Sequence, residues 1–279
     1  MERFWIRKKQ ILGPGLKLMG IQAPEIAAKA KPGQFIILRD YDNGERIPLT
    51  IADLDPEQGL VIIIFQEVGR STIDLGKMEE GNYLQDFVGP LGRPSEIENF
   101  GNVVCVGGGV GIAPVYPITR ALFEAGNRVT GIIGARSADY LILKDKMTSV
   151  SHELNIVTND GSTGEKGLVV DPLLRILREK KIDRVVAIGP LVMMKAVSEV
   201  TREFGVPTIV SLNPVMVDGT GMCGACRVEV AGKTRFACVD GPEFDGHQVD
   251  WVLAEQRARM FAAQEKIAME MEGGCACRK

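Results

Sequence analysis

A β-barrel followed by a doubly wound α/β domain and a small cysteine-bearing segment is the architecture the sequence predicts, and three observations predict it. Short β-rich runs separated by Gly, Pro and Asp fill the chain up to about Phe100. From Asn102 the texture changes to Val-Val-Cys-Val-Gly-Gly-Gly-Val-Gly, and apolar runs then alternate with stretches of helical spacing. Three cysteines at metal-ligand spacing follow between Asp218 and Cys238. The expected boundaries are 1–99 for the barrel, 100–212 for the α/β domain, 213–249 for the cysteine segment and 250–279 for a terminal helix and tail. A chain of 279 residues suits about two domains and an appendage.

Element by element, the barrel strands read as Gln34–Leu38, Ile47–Ala52 and Leu60–Gln66. Asn102 opens a strand, a Gly loop and then a helix over Ile112–Glu124. Strands are expected at Arg128–Gly134, Asn155–Thr158, Arg184–Ile188 and Pro207–Ser211, and helices at Asp139–Val150 and Asp171–Lys180. Asn213-Pro214 reads as a linker into the cysteine segment. A hairpin, Arg227–Val230 and Thr234–Ala237, turns at Ala231-Gly232-Lys233. Asp250–Glu272, rich in Ala, Glu, Gln, Arg and Met, reads as one terminal helix. The tail, Gly273 to Lys279, has no periodicity.

The composition excludes several roles. Hydrophobic residues make up 45% of the chain, enough for a sizeable core, and the net charge of -3 arises from interspersed acids and bases. Neither nucleic acid nor an anionic membrane finds a basic field here. The N-terminus scatters charges through its few apolar residues, unlike a secretory signal, and no run of about 20 apolar residues suggests a span. Six cysteines, three of them at ligand spacing, point to a reducing compartment, hence the cytoplasm.

The cysteine segment reads Asp218-Gly-Thr-Gly-Met-Cys223-Gly-Ala-Cys226, with Cys238 following after eleven intervening residues. Plant-type [2Fe-2S] sites space their ligands as C-x4-C-x2-C plus a distant fourth Cys, so Asp218 stands where the first Cys would be. A carboxylate is a hard anionic ligand that can replace a thiolate and alter the potential. Gly219, Gly221, Gly224 and Ala225 make the small-residue loop such ligands need, and the hairpin returns Cys238 to it. Structural zinc on the same thiols, or ordinary cysteines with Asp218 capping a turn, are the alternatives. His152 and His247 are not spaced to join a metal site, Cys105 reads as a core hydrophobe, and Cys275 and Cys277 form a weak candidate pair.

Gly107-Gly108-Gly109-Val110-Gly111-Ile112-Ala113 leaves a strand and opens a helix, where free backbone N–H groups attract a pyrophosphate. Thr158 to Gly164, with Asp160, Gly161 and Ser162, and Gly189-Pro190 follow later strands and belong to the same carboxyl edge. Arg136, in Gly134-Ala-Arg-Ser137, is suited to a 2′-phosphate or to plain solvent exposure, which leaves NAD against NADP open. In the barrel, Arg46-Ile-Pro48-Leu49-Thr50 and Phe65-Gln66-Glu-Val-Gly69-Arg70-Ser71-Thr72 pair basic side chains with hydroxyls and a Gly turn, partners a flavin needs, though ordinary strand ends look alike.

In this order the motifs resemble the ferredoxin-NADP reductase-like superfamily over essentially the whole chain. Within it, the chain is similar to the flavin and iron–sulfur electron-transfer subunits of dihydroorotate dehydrogenase, and more so to the small subunits of NADH-dependent reduced ferredoxin:NADP oxidoreductases, also called sulfide dehydrogenases. Asp218 favours the second group; dihydroorotate dehydrogenase partners carry Cys there, and an Arg where Ile47 stands. The resemblance implies FAD against Pro48, Leu49, Thr50, the strand Ile64, Phe65 and Gln66, Ser71 and Thr72. It implies NAD(H) on Gly107 to Ala113 near Arg136 and Asp160 to Ser162, and a [2Fe-2S] cluster on Asp218, Cys223, Cys226 and Cys238. It also implies a heterodimer in which a larger subunit holds a bifurcating flavin, [4Fe-4S] clusters and the NADP(H) site, so that ferredoxin is an indirect partner. An electron-transfer subunit of a dihydroorotate dehydrogenase, a sulfide/polysulfide reductase subunit and, from another class, a zinc-stabilised nucleotide-sensing module are the alternatives.

Overall fold

The computed structural model describes residues 4–270. Seven strands open the chain: β1 (Phe4–Gly13), β2 (Leu16–Gln22), β3 (Phe35–Arg39), β4 (Ile47–Asp55), β5 (Leu60–Gln66), β6 (Tyr83–Leu84) and β7 (Asp86–Leu91). They pair antiparallel in the order β6-β1-β2-β5-β4-β3-β7. The edge strands β6 and β7 are consecutive in sequence, with only Gln85 between them, so the sheet curls until its edges meet. Ile6, Met19, Ile36, Ile63, Phe65 and Leu75 fill its interior. The two longest pairings, β1 with β2 and β2 with β5, involve strands the sequence did not announce. β1 reads Phe-Trp-Ile-Arg-Lys-Lys-Gln because much of it faces solvent, which blurs its alternation.

The second sheet holds β8 (Asn102–Gly108), β9 (Arg128–Ala135), β10 (Glu153–Thr158), β11 (Glu165–Lys166), β12 (Arg184–Ile188) and β13 (Thr208–Ser211), all parallel. Its order, β11-β10-β9-β8-β12-β13, reverses direction at β8, which places a topological switch point at the carboxyl end of that strand. Helices Ile112–Glu124 and Lys144–Ser149 cover one face, whose core also takes in Leu16, Leu18, Ala52 and Ile64 of the barrel. Val170–Glu179 and Leu191–Glu203 cover the other.

Three expectations are corrected by the structure. The stretch Asp139–Val150 is helical only over Lys144–Ser149; a lone 3-10 turn at Ala138–Tyr140 and a left-handed Leu143 (φ 54°) interrupt it while Ile142 reaches the core. The terminal helix is two helices, Trp251–Ala258 and Ala262–Glu270, separated by a turn at 259–261. The cysteine segment is not a free appendage. After the hairpin β14 (Arg227–Val230) and β15 (Lys233–Phe236), strand β16 (Glu243–Asp245) returns to pair antiparallel with β13. Cys275 and Cys277 lie outside the described residues.

An ion cluster ties the two domains together. Asp53 of the barrel accepts from Arg120 Nη1 at 2.9 Å and Lys146 Nζ at 2.7 Å, both on helices of the α/β domain. Burial opposes ionisation of Asp53, but the Lys146 ammonium and Arg120 guanidinium outweigh it and hold its carboxyl below the usual value of 3.8. A depressed folded-state pKa contributes stability that is present above the unfolded value and is lost as pH falls through the folded one. Asp53→Asn is therefore expected to cost about 2 kcal/mol near neutrality and almost nothing in strong acid. Urea unfolding at both pH values checks this, and a cost that persists in acid would contradict it.

Candidate nucleotide cleft and cluster loop

At the switch point the backbone leaves β8 as a single 3-10 turn, Gly109–Gly111, and enters the helix Ile112–Glu124. Gly109 is left-handed (φ 56°) with open space where a Cβ would be, so it serves conformation and access. Gly107 and Gly111 serve close packing. A Cβ on Gly107 would stand 2.9 Å from Val115 Cγ1, and one on Gly111 would meet the end of β12 at Ile188 O and Gly189 Cα. Gly108 and Gly189 both abut Met193, so the two strand exits are held together beneath the loop. Ile112 and Ala113 are buried behind it.

A cleft of about 490 Å³ opens here, and residues of both domains line it. Gln66 comes from the barrel, while Gly108, Gly109, Val110 and Arg136 come from the α/β domain. Arg136 stacks on Tyr140 with its guanidinium 3.5 Å from the ring centre. Asp160, Gly161 and Ser162 do not line the cleft; they form a turn beside it. There Asp160 Oδ1 accepts from Ser162 N at 2.9 Å, and Ser162 Oγ accepts from Ala138 N at 2.8 Å. This turn thereby fixes the segment carrying Tyr140. Asn159, inside the Thr158–Gly164 motif, lines the cleft as expected, while Leu16, Tyr140 and Met193 also line it and carried no sequence signal, since each sits on an irregular stretch or an apolar one.

On the barrel, residues 47–50 of β4 are half-buried and include Pro48, Leu49 and Thr50. Ile64 and Phe65 are buried; Phe65 points into the barrel core, which leaves only its backbone for a ligand. Gly69 precedes the helix Arg70–Gly76, and the Thr72 hydroxyl accepts from Val68 N and Gly69 N at 3.1 Å each. Ser71 donates to Glu45, which draws the loop before β4 toward this helix. Arg70 pairs with buried Asp74 at 2.8 Å, and Arg46 lies 4.0 Å from Asp86. The helix Ala262–Glu270 lies against Arg70–Gly76.

The cluster loop brings two of its thiols together. Cys226 and Cys238 are 2% exposed and their sulfurs lie 3.2 Å apart, while Cys223 is exposed. Burial first, and then the Cys226 thiol, push the Cys238 thiol up to about 12. Two buried thiols facing each other gain little from ionising alone, whereas a cation would deprotonate and join them. Gly219, Gly221 and Gly224 are all left-handed, which lets the loop fold tightly enough for its ligands to converge. Asp218 turns its carboxylate to Thr220 N and Cys223 N, both at 2.8 Å, and these bonds hold its pKa below the usual value. The donor set suits an iron–sulfur group in chemistry. Among the described residues, no three His, Cys, Asp or Glu side chains already converge as a closed metal cage. His152 accepts from Val129 N, His247 shares a hydrogen bond with Thr201, and Cys105 is buried with its thiol raised to about 12, first by burial. All three are structural.

Residues 213–250 match the model of the iron–sulfur cluster binding domain of dihydroorotate dehydrogenase B, and residues 105–199 match the oxidoreductase NAD-binding domain. The electron-transfer subunit homolog of dihydroorotate dehydrogenase B from Thermotoga maritima is 54% identical over 250 residues, covering 90% of this chain and 88% of its own. The chain belongs to the family of dihydroorotate dehydrogenase B electron-transfer subunits and their homologues. The subunit from Desulforamulus reducens is 32% identical over 86% of this chain and 95% of its own. Among solved structures, a chain of NADH-dependent reduced ferredoxin-NADP oxidoreductase, solved for insight into flavin-based electron bifurcation, is 50% identical. It superposes with a TM-score of 0.92 over 97% of this chain and 98% of that one. A cytochrome P450 reductase from Amycolatopsis, 19% identical with a TM-score of 0.61, shares the fold. This family member is an NAD(H)-linked oxidoreductase subunit with a ferredoxin-NADP reductase-like fold, and its work is electron transfer. No described helix is long and apolar enough to cross a membrane.

Proposed function

We propose that this chain is the small subunit of a bifurcating, ferredoxin-dependent NADH:NADP oxidoreductase. Its cofactors are FAD, a [2Fe-2S] cluster and NAD(H), and it exchanges electrons with a larger partner subunit in the cytoplasm. The observation that carries this reading is the likeness, at 50% identity and end to end, to a chain of the NADH-dependent reduced ferredoxin-NADP oxidoreductase. Asp218 in the first ligand position agrees with it.

When bound, the flavin supplies the conversion between a two-electron hydride and the single electrons an iron–sulfur cluster handles. The protein's part is placement. The N–H groups of the Gly107–Ala113 turn and helix hold a pyrophosphate at the switch point. Arg136, Asp160, Gly161, Ser162 and Gly189 shape the surrounding edge. Pro48, Leu49, Thr50, Ile64, Phe65 backbone and Gln66 form the flavin's side of the cleft, with Arg46, Gly69, Arg70, Ser71 and Thr72 toward its phosphates. Asp218, Cys223, Cys226 and Cys238 hold the cluster.

Anaerobically purified protein is expected to contain FAD, two irons and two sulfides per chain, and NADH is expected to bleach both flavin and cluster absorption. Zinc without iron or flavin would overturn the reading. Co-purification of the untagged complex then separates the two relatives: reduced ferredoxin with NADP should support turnover with NADH, and dihydroorotate should not. Turnover with dihydroorotate would move the chain to the other branch of its family.

A further inference from the structure

We infer that Arg257 is a positioning residue that raises the reduction potential of the cluster by holding an uncompensated positive charge against the ligand loop. The inference rests on the proposed cluster site and concerns a residue outside the ligand segment. Arg257 lies on the helix Trp251–Ala258, and its Nη2 donates to the backbone carbonyl of Ala225 at 2.8 Å. Ala225 lies between Cys223 and Cys226, and its carbonyl shares a peptide unit with the N–H of Cys226. A cation drawing on that carbonyl makes the same peptide's N–H a stronger donor toward whatever anion the loop encloses.

Two features distinguish this arginine from a simple clamp. Its Nε is buried and has no hydrogen-bond partner. It also makes no ion pair with a carboxylate among the described residues, so its charge is not spent elsewhere. Arg93 provides the contrast. It too binds a carbonyl beside a ligand, donating from Nε to Val239 O at 3.1 Å, next to Cys238. Yet Arg93 is 69% exposed and pairs with Asp240 at 3.7 Å, so solvent and a carboxylate both screen it. A clamp needs one donor and no charge, and a buried unpaired N–H is costly. The helix is moreover already anchored without Arg257. Buried Trp251 donates from Nε1 to Gly246 O at 3.1 Å, and Glu255 pairs with Lys195 at 3.0 Å.

Reduction of the cluster adds one electron and no atom, so the loop gains one negative charge while every bond to the ligands is kept. A fixed cation beside it stabilises the reduced form more than the oxidised one. The expected sign is thus a potential higher with Arg257 than without it.

The test is an anaerobic redox titration of the full chain, following cluster absorption and EPR against a series of mediators. Arg257→Gln keeps a donor for Ala225 O and removes the charge. It is expected to lower the equilibrium constant for cluster reduction about tenfold, or about 59 mV for a one-electron couple. Arg257→Lys, which keeps the charge, should stay close to wild type, and Arg227→Gln, which removes an exposed cation near the same loop, should shift the potential less. An iron-loaded Arg257→Gln protein with the wild-type potential would overturn the inference, as would equal shifts in the Gln and Lys variants, which would assign the effect to bond geometry. If the Gln variant does not hold iron, Arg257→His decides. Its potential should rise relative to wild type as pH falls through about 6.5, and a slope parallel to wild type would overturn the inference. Wild-type protein without iron would instead defeat the cluster reading itself, before any variant is compared.

Discussion

Cys238→Ala is expected to fold, bind NADH and contain no cluster, whereas Asp218→Ala is expected to retain two irons with an altered EPR signal. The contrast follows from where the two side chains lie. Cys238 is 2% exposed and its sulfur faces Cys226 at 3.2 Å, inside a small core with Phe35, Ile37 and Met216. Alanine there removes a sulfur that no neighbour can replace and leaves a void of roughly one sulfur atom, a cost of about 1 kcal/mol that the domain can bear. Asp218 sits half-buried at the start of the loop and in this structure turns its oxygens to Thr220 N and Cys223 N. Its loss removes a turn cap and, on the proposed function, one hard ligand whose place water would take. Iron and sulfide content, EPR and NADH binding read the two variants side by side. An unchanged EPR signal in Asp218→Ala would rule that carboxylate out as a ligand; a fully loaded Cys238→Ala would remove Cys238 from the set.

Gly111→Ala is expected to weaken NAD(H) binding at least about tenfold, which is about 1.4 kcal/mol, and to lower stability by about 1–3 kcal/mol. Its backbone is ordinary, φ -63° and ψ -11°, so conformational strain is not the reason. The obstacle is space: the new methyl would collide with Ile188 O and stand 2.6 Å from Gly189 Cα, both backbone atoms at the end of the adjacent strand. Main chain cannot rotate aside as a side chain can, so the turn must lift from the sheet and carry its N–H groups with it. Gly109→Ala separates the alternatives. It meets nothing within 4 Å but must adopt φ 56°, so it should lose about 1–2 kcal/mol through strain while leaving β12 undisturbed. Thermal unfolding and NADH titration check both; a Gly111→Ala protein with wild-type affinity would show that the turn tolerates displacement.

What could be read from the sequence was what local chemistry dictates. The strand, glycine turn and helix from Asn102 to Glu124 lie where the residues place them, because a buried parallel strand must be continuously apolar and the turn must be small. The hairpin at Ala231-Gly232 is equally local, with both residues left-handed. Elements fixed by distant partners were not legible. β1 is charged because it faces water on one side, and β16 has three residues, Glu-Phe-Asp, whose strand character exists only opposite β13. The helix Leu191–Glu203 starts on Leu-Val-Met-Met after Pro190 with no side-chain cap, so neither its start nor its period is distinct. In the site, the glycines and cysteines announced themselves, while Tyr140 and Met193 could be found only after folding brought their strand ends together.

The pairing of β16 with β13 bears on anyone who wishes to dissect this protein. A cut at residue 212, the boundary expected from the sequence for the α/β domain, discards β16 and leaves β13 as a bare edge, paired with β12 on one side and open along Ile209 and Val210 on the other. Such an edge recruits other strands and promotes aggregation. A fragment ending beyond Asp250 keeps the seam closed, so the smallest well-behaved nucleotide-binding piece of this chain already includes the loop meant to carry iron.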